Sequence, residues 1–373
     1  MTAAVGEELD ALRATVSELL VKHCSESDVR ATMATESGHD RDLWNRLAEM
    51  GLLGLLIGEE FGGAEAGHVA MGVVMEEMGA ALMGGPFLAT AVLTAHVLNG
   101  SGDDAERRSV LPRIAAGELI TTVAYAEPSA PASTEPRCES TTATPTGDGG
   151  WSLMGEKAYV LDACNADLIY VLAQTPDGPG LFAVDAEASG LDVVTLKTVD
   201  QTRRQCRVML SDTPARQVGT LGTATSVLNQ ALDLTAVALV SEQAGGTRRA
   251  MQMAVQYART RFQFGRAIGS FQAVKHMCAD MFLESESAIS AARHVADAFD
   301  RQRPGADADL ALAQAYCADA YVTVAATGIQ VHGGIGFTWE HPAHLYLRRA
   351  RTDAQLLGQP ATHRENYLQR VQS

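Results

Sequence analysis

A block of short, evenly spaced β-type runs lies between two long stretches of helical period, and this alternation limits the fold more than any other feature. TTVAYAE, WSLMGEKAYVL, DLIYVLA, GLFAVDA, LDVVTL and CRVMLSD are each bounded by turn residues. The GDGG run at 147–150 is a strong hairpin signal and Asp177-Gly178 a second turn. Strands this short predict a compact β-barrel or sandwich over about 120–218. Before it, Leu43, Leu47, Met50 and Leu53 recur at three- and four-residue steps, and Val73, Val74, Glu77 and Met78 continue in kind. The glycines of GEEFGG (58–63) interrupt that pattern. After Gly222 the helical period returns. Val240, Ala244, Thr247, Met251, Val255 and Ala258 form one stripe, and a second long helix is expected from about Ala306 to Val331. Abundant alanine there allows the close approach of a helical bundle. The Pro-, Ser- and Thr-rich stretch 129–146 reads as an irregular loop. The expected division is a helical domain over 1–118, a β domain over 119–220 and a helical bundle over 221–373, with the helical parts packed around the β unit.

Bulk properties remove several function classes. A chain of 373 residues is too long for one simple core. A net charge of −16 argues against nucleic acid or an anionic membrane as a partner, although a few local arginines can still bind a phosphate. The six cysteines are scattered without a C-x-x-C pair, which fits free thiols in a reducing compartment better than a disulfide or zinc framework. The opening MTAAVGEELDALRATV lacks the basic-then-apolar order of a signal peptide, and no apolar run approaches membrane-spanning length. A cytoplasmic location is the default expectation.

Two stretches carry chemistry. In Arg259–Gln272 an arginine, an aromatic-glycine pair and a glutamine are spaced across a helix end and the loop after it. Arg261 can grip a diphosphate in bidentate fashion, Gly265 lets backbone come close, and Gln272 can bond a phosphate or sugar. The arginines alone are equally a basic helix terminus that complements its dipole. In Gln330–Pro342, glycines after a long helix give a C-cap and a loop whose bare backbone can lie against a ligand, or simply a helix stop. His332, His341 and His344 are close in sequence but lack metal-site spacing and acidic partners, so no metal is expected.

Together the stretches are much more specific. R-x-x-F-G-x-x-I-x-x-x-Q from Arg261 to Gln272, Q-x-x-G-G-x-G-F from Gln330 to Phe337, and R-x-A-R within Arg348–Arg351 resemble the acyl-CoA dehydrogenases. Leu43-Trp44, the run Leu52–Leu56 and Glu59–Gly63 are similar to that family's opening domain. The resemblance covers nearly the whole chain and implies helical, β and four-helix-bundle domains in that order. It also implies that Arg261, Phe264, Gln272, Gln330, Gly333 and Gly334 bind the adenosine diphosphate half of FAD on a neighbouring protomer.

The same resemblance exposes a gap. The family reaction removes the α-proton of an acyl-CoA thioester with a carboxylate while hydride leaves the β-carbon for the flavin. Most members carry that glutamate shortly after R-x-A-R, where this chain has Leu357. A minority carry it on the helix before R-x-x-F-G, where it has Thr235. Glu242 lies two helical turns beyond Thr235, about 10 Å away. It is expected to be a solvated or interface acid, and Asp353 a surface aspartate. The flavin-facing run has drifted too: Ala126 stands where the family has threonine in Thr-Glu-Pro, and no Gly-Ser-Asp turn follows. The resulting expectation is one subunit of a heteromeric, α2β2 acyl-CoA dehydrogenase, and Phe337–Pro342, Leu356–Gly358 and His363-Arg364 resemble the actinobacterial branch that oxidises CoA esters of steroid side chains. A homologous partner would carry the glutamate, most of the FAD and most of the acyl-CoA contacts. The alternatives are a self-sufficient homotetramer with a displaced base such as Glu242, and a flavin-free scaffold on the same fold.

Overall fold

The structure, a computed structural model, describes residues 3–128, 136–147 and 149–372. Its helices are α1 (Ala3–His23), α2 (Glu26–Ala34), α3 (Arg41–Glu49), α4 (Gly67–Ala81), α5 (Ala95–Ser101) and α6 (Asp104–Ala115), with a π-helical segment at Leu88–Thr94. The strands β1 (Thr121–Ala124), β2 (Thr142–Pro145), β3 (Trp151–Leu161), β4 (Leu168–Thr175), β5 (Gly178–Asp185), β6 (Leu191–Thr195) and β7 (Gln205–Val218) follow. Then come α7 (Ala224–Thr260), β8 (Phe262–Gln263), β9 (Arg266–Ala267), α8 (Gln272–Asp300), α9 (Ala306–His332), α10 (Ala343–Asp353) and α11 (Pro360–Gln372). The helical–β–helical order agrees with the sequence reading. No helix among the described residues is long and apolar enough to cross a membrane.

The chain forms two compact units. One comprises residues 31–67 and 84–235. Its sheet closes on itself: β3 pairs β2 and β7, β7 pairs β5, β5 pairs β4, and β4 returns to β2 through Thr142 and Gln174. Closure removes most free edges, and β1 and β6 add to the outside of the ring on β4 and β7. Leu153, Ile169, Val171, Phe182, Val184 and Val208 fill the interior. β4 is buried on nearly every residue because helices cover its other face. The Tyr170 hydroxyl donates to Glu106 of α6 at 2.7 Å, and Arg216 of β7 grips the same carboxylate at 2.5 and 3.1 Å. Strand β2 corrects the loop reading of 129–146. Ala143 is its buried residue, so three residues of period-2 burial were hidden by their Thr-Pro flanks. Residues 129–135 lie outside the described part. The predicted hairpin run lies between β2 and β3, where the Thr146 N–H donates to the Gly150 carbonyl at 2.9 Å; residue 148 lies outside the described part.

The other unit comprises residues 1–30, 68–83 and 236–373. Its bundle is built on α7, α8, α9 and α11, and α4 crosses α7 at very short range. A Cβ on Gly79 would stand 2.1 Å from the Glu242 carbonyl oxygen, and one on Gly245 1.8 Å from that of Glu76. Only glycine permits this crossing. Beside it, buried Glu76 accepts both arms of Arg293 at 3.0 Å and Arg13 at 2.8 Å, and Arg13 and Arg248 each meet Glu77 at 2.7 Å.

Candidate functional site

The C-terminal end of α7 runs directly into a two-residue hairpin. Phe264 and Gly265 have φ of 54° and 78°, the pair of positive values that a type I′ turn requires. Glycine adopts this freely and phenylalanine does not, so Phe264 carries backbone strain while its ring is 89% exposed. Ile268 N–H donates to the Arg261 carbonyl at 2.8 Å and closes the hairpin. The Arg266 guanidinium lies over Phe271, 3.9 Å from the ring centroid, and α8 begins at the next residue, Gln272. Arg261 and Gln272 are exposed, and Arg261 forms no ion pair among the described residues.

Helix α9 ends at His332, and Gly333 follows with φ 66° and ψ −143°, a conformation essentially reserved for glycine. A 3-10 turn over Gly333–Phe337 completes the loop. Cβ atoms on Gly333 or Gly334 would meet nothing within 4 Å, so their backbone is bare and approachable, and Gln330 is exposed beside them. The two stretches meet through Tyr257, whose ring stacks on His332 at 4.7 Å between centroids. His332 donates from Nδ1 to the Gly328 carbonyl at 2.6 Å, and His341 stacks on it at 4.3 Å while accepting from the Ala343 N–H. Burial lowers the pKa of both imidazoles, and their mutual repulsion adds to it for His341, so the pair is neutral near pH 7. These histidines are stacked spacers. Among the described residues no group of His, Cys, Asp and Glu could hold a metal.

The residues singled out from sequence as FAD-facing each face solvent: a guanidinium in no ion pair among the described residues, two side-chain amides and a glycine backbone with open space above it. That donor set fits a diphosphate group approaching from outside the chain.

Neither position for a base carries an acid. Thr235 is fully buried and its hydroxyl donates to the Ala231 carbonyl at 2.6 Å. Leu357 is 8% exposed, with φ at 60°. The nearby acids differ from expectation. Glu242 is not solvated: it is 3% exposed and its Oε1 takes a 2.5 Å charge-assisted bond from Arg349 of α10, itself 1% exposed. Arg349 also donates to the Met83 carbonyl at 3.2 Å. Asp353 is 1% exposed rather than on the surface, and its backbone carbonyl accepts from Gln243. Glu242 sits inside because Arg349 supplies a buried counter-charge, which the R-x-A-R pattern alone did not reveal.

The Ala126-Glu127 segment is likewise structural. Glu127 accepts from the backbone N–H groups of Glu139, Ser140 and Thr141 and pairs with buried Lys157 at 3.2 Å. Burial opposes ionisation, but the ammonium and the N–H donors outweigh it and hold the carboxyl down at about 2. Beyond Lys157, β3 bulges, and Tyr159 stands half exposed at φ 55°. The i, i+30 spacing of Glu127 and Lys157 gives no local signal, so this pair was invisible in sequence.

Comparison with known proteins agrees with the motifs. Residues 6–118 match the family model "Acyl-CoA dehydrogenase, N-terminal domain" and residues 225–372 "Acyl-CoA dehydrogenase, C-terminal domain". The chain is 35% identical to acyl-CoA dehydrogenase IpdE2 of Mycobacterium tuberculosis over 95% of its length and 94% of the relative's. A solved structure described as the Tcur3481-Tcur3483 steroid ACAD is 31% identical, covers 98% of both chains and superposes with a TM-score of 0.87. The crystal structure of the ChsE4-ChsE5 complex from Mycobacterium tuberculosis is 28% identical, with a TM-score of 0.88 over 100% of this chain and 98% of that one.

Proposed function

Starting from a chain that belongs to the acyl-CoA dehydrogenase family, we propose that it is the base-lacking subunit of a heteromeric, α2β2 enzyme that desaturates the CoA ester of a steroid side chain. The family is FAD-dependent, and this subunit supplies Arg261, Phe264, Gln272, Gln330, Gly333 and Gly334 to a flavin held mainly by a homologous partner. What supports the reading is the occupancy of the two positions that the family resemblance assigns to a base, and the pairing of the nearest acid. Thr235 and Leu357 hold none, and Glu242 is committed to Arg349. A buried carboxylate already bonded to a guanidinium is a weak proton acceptor and has no route to a thioester. The likeness to a steroid ACAD and to a two-component complex supports the substrate class and the assembly.

Mechanistically, the α-proton is taken by a carboxylate of the partner. FAD, when bound, supplies the acceptor for the β-hydride. This chain's contribution is binding and orientation. The planar fork of Arg261 suits two diphosphate oxygens, the Gly333-Gly334 backbone admits the sugar-phosphate chain closely, and the Gln272 and Gln330 amides fix its register. The neutral His332–His341 stack holds the glycine loop against α7.

Native mass spectrometry of the tagged chain from its own host, with FAD counted, tests the proposal. A heterotetramer with two FAD is the expected result. A homotetramer with four FAD that bleaches on adding an acyl-CoA would establish a self-sufficient enzyme. No FAD even with a partner present would leave a scaffold.

A further inference from the structure

The helical unit contains a cavity of about 760 Å³ that shares no residue with the set above. It lies among α1, α2, α4, α7 and the start of α10. Leu20, Val29, Leu82, Met253, Leu345 and Tyr346 form its apolar lining, and arginines stand at one side. The volume is in the range of small-molecule sites, about 300–1,000 Å³. The arginines are not equivalent. Arg13 and Arg248 are spent on Glu76 and Glu77. Arg249 is exposed and forms no ion pair among the described residues, and beside it the Tyr346 hydroxyl donates to the Ala80 carbonyl at 2.6 Å. Of the acids in the wall, Glu77 is neutralised by the two arginines and Glu26 by Arg30 at 2.9 Å, leaving Asp10 exposed on α1. The cavity therefore offers an apolar surface with one guanidinium in no ion pair at its side, and the exposed Asp10 carboxylate on the same wall.

We propose that this cavity is a ligand site for an amphipathic carboxylate, with its apolar body against Leu20, Met253 and Leu345 and its carboxylate on Arg249. An uncharged apolar molecule would leave the guanidinium unused, and a polar anion would leave the lining wet. Two walls are α7 and α10, the helices that carry Arg261 at one end and Leu357 just past the other. Occupancy therefore braces the elements on which the proposed cofactor contacts stand.

The test is calorimetric titration of decanoate and decan-1-ol into the full-length chain, with any copurifying partner kept in place. One decanoate per chain is expected, bound at least tenfold more tightly than the alcohol. Arg249→Gln should erase that difference and leave the alcohol unchanged. Ala14→Trp, which fills the cavity from an exposed position on α1, should abolish binding of both with thermal unfolding unaltered. Decanoate binding that persists at full strength in Ala14→Trp, or that ignores Arg249→Gln, overturns the proposal. So does the absence of saturable binding. The outcome is independent of the count of FAD per complex, so the two readings fail separately.

Discussion

Replacing Arg349 by methionine probes the acid that most nearly rescues a self-sufficient enzyme. The substitution removes the guanidinium that holds Glu242 and leaves a carboxylate that is only 3% exposed. Breaking one side of such a pair costs about 3–5 kcal/mol, chiefly from the uncompensated buried charge. The lost bond to the Met83 carbonyl adds to this, though methionine fills most of the volume. With a urea slope of about 2 kcal/mol/M, the midpoint of the helical unit should fall by about 2 M. The double variant Glu242→Leu with Arg349→Met removes both charges and should recover most of the loss, giving a coupling of about 2–3 kcal/mol in the cycle. The assay is urea unfolding followed by far-UV circular dichroism, on the two single variants and the double. Additive losses, or a cost below about 1 kcal/mol for Arg349→Met, would refute the argument that Glu242 is locked. Turnover adds a second discriminant. A catalytic Glu242 predicts that Glu242→Gln loses about 10²–10⁴ in rate at little cost in stability, whereas a locked one predicts the reverse order of effects.

Three further outcomes follow from the same coordinates. Gly245→Ala puts a Cβ 1.8 Å from the Glu76 carbonyl oxygen, so α4 and α7 must separate. A loss of about 3 kcal/mol or more is expected in thermal unfolding, and a wild-type melting temperature would show that the crossing is loose. Burial takes the His363 imidazole down to about 4, below its unfolded 6.5; its share of stability is whole above 6.5 and is lost as pH falls toward 4, about 2 kcal/mol of it by pH 5. The pH 7-to-5 slope of the urea midpoint should flatten in His363→Gln, and an unchanged slope would count against it. Arg261→Ala should lower FAD per complex at least tenfold in affinity while leaving the chain's own unfolding untouched, because the side chain is exposed. Unchanged flavin content would remove Arg261 from the cofactor contacts.

Much of the architecture was legible because period and punctuation agreed. The six β-type runs became β1 and β3 to β7, and the stripe from Val240 to Ala258 became the buried face of α7. Strand β2 was missed because threonines and a terminal proline carry its pairing and only Ala143 faces the core. At the site, local motifs placed Arg261, Gly333 and Gly334 on loops, and the structure adds what spacing does not encode: Tyr257 bringing the stretches together. Charges were read least well. Glu242, Asp353, Glu127 and Lys157 look like surface residues in any composition-based reading, and all are buried. Their partners are far away in sequence, so burial of a charge is decided by tertiary pairing rather than by local pattern.

This contrast also bears on the assignment of roles. A polar group that a protein uses internally is spent, and one kept for a ligand is left uncommitted at the surface. Glu242 is bound by Arg349, Glu127 by Lys157 and backbone N–H groups, and the Thr235 hydroxyl by its own helix. None is free to move a proton. Arg261, Gln272 and Gln330 are exposed, and no carboxylate among the described residues pairs with Arg261. The groups suited to gripping a diphosphate are therefore uncommitted, while Glu242, Glu127 and Thr235 are bonded within the fold. A complete enzyme needs both kinds available in one site. Under the proposed function this chain supplies the first and another subunit the second, and the commitment of Glu242 to Arg349 is what supports that division.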